Sequence, residues 1–218
     1  MGVISDHLDL WGEALWGTIV LFLGGGLIAL VLGLIVGAAR VSPVPIARAV
    51  GGIYVNWIRN TPLTLVMFFF AFCLPILLGE RVNSLLLAVI ALGLYTATYV
   101  AEALRAGINT VPVGQAEAAR AIGLSFGQVM TLVIMPQAFR SVVPPMMSVF
   151  IALLKNTTIA AGFSIVELAA LRAEVADSYN RPGTVMEILL WVAVVFIVLV
   201  FLLSLVQRHF EKKWRIVR

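Results

Sequence analysis

The chain of 218 residues is 61% hydrophobic and only 12% charged, with a mean hydropathy of +1.05. Soluble domains hold about 45–50% apolar and about 25% charged residues, so this composition excludes an ordinary soluble fold and indicates a membrane protein with several spans. The net charge of +4 does not indicate nucleic-acid binding, because the basic residues flank apolar runs and form no patch interleaved with aromatics. One cysteine, Cys73, excludes an intrachain disulfide. Asp6, Asp9 and Glu13 stand where a secretory signal needs a basic region, and the apolar run behind them is too long for a signal core, so no cleavable signal is expected.

Five stretches approach the roughly 20 apolar residues that a spanning helix needs. The first covers residues 14–39. Its Gly24-Gly25-Gly26 run, with Gly33 and Gly37, permits close helix contact, including one between subunits. The second covers 61–79, with Asn60 or Thr61 as cap and Pro62 in the first turn. The third covers 84–104 and places Glu102 and Arg105 at a spacing that pairs them. Its Tyr95, Thr96, Thr98 and Tyr99 suit interhelical packing or the lining of a path, with packing preferred. The fourth covers 142–162 and is interrupted by Lys155. The fifth covers 184–207 and opens on a capping box of Thr184 with Glu187.

Charge orients these spans. Arg40, Arg48, Arg59, Arg105, Arg120, Arg140, Arg208, Lys212, Lys213, Arg215 and Arg218 follow spans one, three and five, against Arg81, Arg172 and Arg181 on the other side. That is 11 against 3, with Lys155 left over, and the richer side is expected in the cytoplasm. Asp6, Asp9, Glu13, Glu80, Glu167, Glu174 and Asp177 all fall on the poorer side. The expected fold is an all-α membrane protein of five transmembrane helices forming one domain over residues 1–218, N-terminus outside and C-terminus cytoplasmic.

The cytoplasmic connection over 107–140, between spans three and four, carries most of the polar signal. Pro112 and Gly114 break the chain, Gln115 to Ile122 favours a helix, and Gly123 stops it. Ser125 and Gln128 then form a capping box for a second helix that runs to a stop at Met135-Pro136. Ala118, Ala119 and Ile122 give the first helix a small apolar face, and Glu117 lies near its positive end. Such a helix either docks another protein or lies on the lipid surface; the latter would want large apolar anchors and more Lys/Arg.

The spacing Glu117-Ala118-Ala119, Gly123, Val133, Met135, Pro136 resembles the signature loop of permease subunits of bacterial ABC importers, with Val133 and Met135 where Ile and Leu are usual. "RNTPL" at 59–63, "AEALRAGI" at 101–108 and "LLKNTTIA" at 153–160 resemble elements of the polar-amino-acid branch, with Asn60 and Ala106 replacing glycines. Within that branch the similarity is to glutamate-uptake permeases of actinobacteria. The resemblance implies a coupling helix that sits on separate ATPase subunits, through Glu117, Ala118, Ala119, Gly123 and Pro136. It further implies a second permease chain, with a heterodimer favoured, an extracellular substrate-binding protein, and a bacterial cytoplasmic membrane location. ATP and Mg would be held by the partner, since the chain has no Gly-x4-Gly-Lys-[Ser/Thr] phosphate loop.

Lys155 falls roughly 21 Å along a core of about 30 Å. It either snorkels to the outer interface or faces the path and meets an anionic substrate group; it could also satisfy unwound carbonyls. Asn156, Thr157 and Thr158 follow it and cannot all face lipid, which is the pattern of a midplane site or gate. Thr61 and Glu102 complete the candidate substrate path, although anchoring suits Glu102 as well. His7 and His209 have no metal-ligand partners nearby, and no acid/base pair or triad is present, so no enzyme is expected. Glutamine, aspartate or a basic amino acid are alternative cargoes. The rival class, an ion-coupled carrier, predicts repeated halves and intramembrane acids, and a purely structural subunit would not need a docking loop.

Overall fold

The computed structural model describes residues 7–80, 82–176 and 183–213. Asp6, Arg81, Asp177, Arg181, Arg215 and Arg218, used above to orient the chain, lie outside them. Every described element is a helix or turn. The framework is a parallel pair, α1 (Leu8–Val41) and α5 (Ser84–Ile108). Both run past the expected boundaries, α5 by a further turn at its end. Asn83 caps α5 by accepting the Leu86 N–H at 3.1 Å.

The glycines of α1 let the two backbones approach. A Cβ on Gly33 would come within 2.8 Å of the Ala97 carbonyl oxygen, and one on Gly93 of α5 within 2.6 Å of Ile28 Cβ. Gly24, Gly25 and Gly37 face Val89, Leu92 and Ala101 of the same helix. The glycine ridge therefore seals a contact inside the subunit, as small residues do where lipid offers no hydrophobic drive to association.

The second span differs from its expected form. The chain turns after α1 into α2 (Pro45–Arg59), then into α3 (Leu63–Phe68), a π-turn over Phe69–Cys73 and α4 (Leu74–Leu78). The two arms, Pro45–Arg59 and Leu63–Leu78, meet at 95°. Thr61 does not cap the second arm: its hydroxyl donates backwards to the Trp57 carbonyl at 2.8 Å, and Pro62 occupies the cap position. Pro62 disfavours a helical conformation at Thr61, so the break falls there. With the bent pair counted as one span the chain has five candidate spans; without it, four.

Span four is longer than expected. The Met135-Pro136 pair does not stop the preceding helix, because a π-turn over Val129–Ile134 leads directly into α8 (Met135–Asn156). The Met135 N–H bonds the Met130 carbonyl, five residues back, and this wider turn carries the chain past the point where a proline ring would clash. α8 packs antiparallel on α5, with Val142 against Gly107. It ends in a 3₁₀ segment, Thr157–Phe163. Then α9 (Leu171–Ala176) precedes α10 (Thr184–Lys213), which begins at Thr184 itself. Leu23, Leu27 and Ile35 of α1 and Leu190, Ile197 and Phe201 of α10 are exposed, which a hydrocarbon solvent permits and water would penalise.

Candidate functional site

Two features stand out against the apolar bundle: a capped loop at the end where α1 and α5 finish, and a cavity between α5 and α8 whose mainly apolar wall carries five hydroxyl or amide side chains. In the loop, α6 (Val113–Ala121) ends in a Schellman motif. The Gly123 N–H bonds the Arg120 carbonyl at 3.0 Å and the Leu124 N–H the Ala119 carbonyl at 3.2 Å, with Gly123 at φ +92°. Ser125 caps α7 (Phe126–Gln128) with the expected reciprocal bonds to Gln128. Glu117, Ala118 and Ile122 are exposed, Ile122 at 81%, whereas Ala119 is turned inward at 6%. The small apolar face read from the sequence is thus split: Ala119 anchors the helix while Ala118 and Ile122 face out. One side chain ties this loop to the bundle. Gln137 of α8 donates to Gln115 of α6 and, at 2.9 Å, to the Val133 carbonyl.

The cavity holds about 410 Å³ and is lined by Tyr95, Thr96, Tyr99, Ser148, Val149, Ala152, Leu153 and Asn156. Tyr95 and Tyr99 share a hydrogen bond between their hydroxyls at 3.0 Å, and the Thr98 hydroxyl donates to the Tyr95 carbonyl at 2.7 Å. Packing alone therefore does not describe these residues, since three of them wall the cavity and Thr98 is buried behind them. Leu153 shares a core cluster with Leu92 of α5.

The polar tetrad after Leu154 divides at the switch from α to 3₁₀. Lys155 is exposed and lines no described cavity. Asn156 enters the first cavity. Thr157 is fully buried and its hydroxyl donates to the Leu154 carbonyl at 2.8 Å, which leaves it no group for a solute. Thr158 donates to the Lys155 carbonyl at 2.8 Å and borders a second cavity of about 530 Å³ with Thr64 and Phe163. Thr61 borders neither.

Glu102 pairs with Arg105 as its spacing predicts, Nε to Oε1 at 3.0 Å, and also with Arg40 of α1 through Oε2. Arg59, at the break of span two, stands 3.7 Å from the same Oε2, with its guanidinium 5.5 Å from the Tyr99 ring centroid. Glu102 is therefore occupied by arginines. The Arg40 and Arg59 partners are 62 and 43 residues away in sequence (102 − 40 and 102 − 59), beyond the reach of helical spacing rules.

At the opposite end Glu167 is fully buried. Its Oε1 accepts the Ala169 N–H at 2.8 Å, while Oε2 has no partner among the described residues, and the buried Trp11 indole N–H is likewise unbonded. Burial pushes the Glu167 carboxyl up to about 7, opposed in part by the Ala169 and Ala170 amides. An acid raised in the folded state stabilises it most below its ordinary value, and that stability is lost as pH rises from about 4.5 to about 7. A purified assembly should accordingly lose thermal stability between about pH 5 and about pH 8. Glu167→Gln, neutral throughout, should flatten that dependence in a melting series; an unchanged slope would remove Glu167 as its source.

Among the described residues no group of three His, Cys, Asp or Glu side chains is placed to hold a metal. Long apolar helices, an open cavity between two of them with hydroxyl and amide groups on its wall, and a capped loop at one end are the features of a membrane permease subunit. The chain belongs to the family of binding-protein-dependent transport system inner membrane components, whose model matches residues 29–216, and it is an amino-acid ABC importer permease. It is 43% identical over 177 residues to the glutamate transport system permease protein GluC of Corynebacterium glutamicum, covering 76% of this chain and 78% of that one. It is 33% identical to the probable glutamine ABC transporter permease protein GlnM of Bacillus subtilis, covering 98% and 97%. A solved amino acid ABC transporter with histidines superposes with a TM-score of 0.89 at 26% identity, covering 96% of each chain.

Proposed function

We propose that this chain forms half of the membrane channel of an ATP-driven importer that carries glutamate into the cell. The observation that supports it most is mechanical. α6 stands exposed with a fixed end, and Gln115–Gln137 joins it to α8, the helix that carries Asn156 into the cavity. Movement imposed on α6 by an ATPase subunit would shift one wall of the cavity. Glu117, Ala118 and Gly123 form the docking side of that loop, Ala119 anchors it, and Pro136 marks where it enters the span. ATP and Mg reside on the ATPase. A second permease, in a heterodimer, closes the open side of the cavity, and an extracellular binding protein delivers the substrate.

Glutamate is proposed because the Corynebacterium relative is a glutamate transport permease; the glutamine relative, at lower identity, supplies the alternative cargo. The test is uptake by proteoliposomes holding both permeases, the ATPase and the binding protein. ATP-dependent accumulation of glutamate is expected. Accumulation of glutamine alone would replace the substrate, and uptake driven by an ion gradient without ATP would overturn the class.

The proposed orientation puts α6 in the cytoplasm. In a Cys73→Ala background, a cysteine at Gln115 should react with an impermeant thiol reagent only after the cells are opened, and one at Glu80 should react in intact cells. The reverse pattern would invert the topology.

A further inference from the structure

The charges around Glu102 do not balance. Its two oxygens are taken by Arg105 and Arg40, whose partners sit at hydrogen-bonding positions on opposite oxygens. Arg59 is the third guanidinium on one carboxylate, at 3.7 Å, longer than a hydrogen bond. Three arginines against one glutamate leave a net charge of +2 at this end of the bundle. Of the three, Arg40 is the most enclosed, at 14% side-chain exposure, and Arg59 the most open, at 45%. The Arg59 guanidinium makes no hydrogen bond to a described residue, so its donors remain available. It lies over the ring of Tyr99, and Tyr99 is a wall of the α5–α8 cavity. A stacked, planar guanidinium is held in orientation by the ring while its outer edge stays free for a carboxylate.

We propose that Arg59 receives a carboxylate of the amino-acid substrate at the α-loop end of the cavity, with Tyr99 orienting the guanidinium and Arg40 and Arg105 keeping Glu102 from capturing it. Arg59 is not itself a wall of the cavity; it stands behind Tyr99, whose ring it covers, and would meet the anionic end of a solute past the edge of that ring. Every amino acid carries an α-carboxylate, so this contact serves the substrate class and leaves the choice among side chains to other groups. The proposal rests on reading the cavity as the substrate path.

The test measures binding to the permease–ATPase assembly in lipid nanodiscs, without binding protein, by the thermal shift that L-glutamate produces over sodium chloride of equal ionic strength. Wild type should be stabilised by glutamate. Arg59→Gln should lose most of that shift, and Arg59→Lys, which keeps the charge without the fork, should retain part of it. Arg48→Gln removes an exposed arginine of α2 whose guanidinium bonds the Ser42 carbonyl and should keep the full shift, whereas Arg40→Gln frees Glu102 Oε2 to capture Arg59 and should lose part of it. Equal losses in Arg48→Gln and Arg59→Gln would make the shift a response to lost positive charge in general and overturn the proposal. So would an undiminished shift in Arg59→Gln, which would leave the cavity as substrate path intact. A wild type with no shift would overturn the cavity reading itself, and the proposal with it. Failure of both Arg59 variants to assemble would assign the residue to folding and likewise overturn the proposal.

Discussion

Gly123→Val should abolish uptake while leaving the subunit inserted and folded. Gly123 has φ +92°, a conformation open to glycine and strained for any β-branched residue, and a Cβ there meets nothing within 4 Å. The substitution therefore acts on the backbone turn alone. Unwinding the Schellman motif frees the Arg120 and Ala119 carbonyls and lets the exposed face of α6, Ala118 and Ile122, lose its orientation to α8. The core lies elsewhere, around Leu21, Met67, Leu92 and Leu153, so membrane insertion should survive. ATP-driven uptake in proteoliposomes should fall by at least about tenfold, since a turn strained by about 1–2 kcal/mol rarely keeps its docked geometry. Glu117→Lys should have a comparable effect through the exposed charge on the same helix, without straining the turn. Normal transport by both variants would remove α6 from coupling.

Lys155→Met should cut uptake by roughly tenfold to a hundredfold, the range for losing a hydrogen bond to a charged group. The methionine keeps the length and apolar stem and removes only the charge. Lys155 stands beside Asn156, which lines the cavity. Lys155→Arg keeps the charge, but a planar fork does not replace a compact point charge, so it should also impair uptake. A lysine that only snorkels to the interface predicts the opposite for arginine, which should be tolerated. Near-normal uptake by Lys155→Met, at equal expression and equal ATPase association, would make Lys155 an interfacial anchor.

The local features were legible because their physics is local. The Ser125–Gln128 capping box, the Gly123 stop and the Glu102–Arg105 pair each lie within four residues, and all form as their spacing requires. The Met135-Pro136 stop was misread for a related reason: a proline ends a regular α-helix, and no pattern in the sequence announces the π-turn that carries the chain through it. α2 went unread although Pro45 marks its first turn and Ile46, Val50, Ile53 and Trp57 recur at helical spacing. Its Arg48, Asn56 and Gly51-Gly52 dilute the apolar signal that a search for spans uses.

Composition and hydropathy by themselves determined that the chain is a helical membrane protein, and the loop spacing determined its family, because partition into lipid and helix capping depend on residue type and near neighbours. Only the tertiary structure decided what the polar groups inside the bundle do. It turned Thr157 onto the Leu154 carbonyl and brought Asn156, Ser148 and Tyr99 to one cavity. It also gathered Arg40, Arg59 and Arg105 on one glutamate and pressed the glycine ridge of α1 against α5 within the subunit. A run of apolar residues is nearly uniform around the helix axis, as α1 is, so it carries little information about which face meets which neighbour. That choice is made by close packing and by charge pairing across a low-dielectric interior, between residues far apart in the chain.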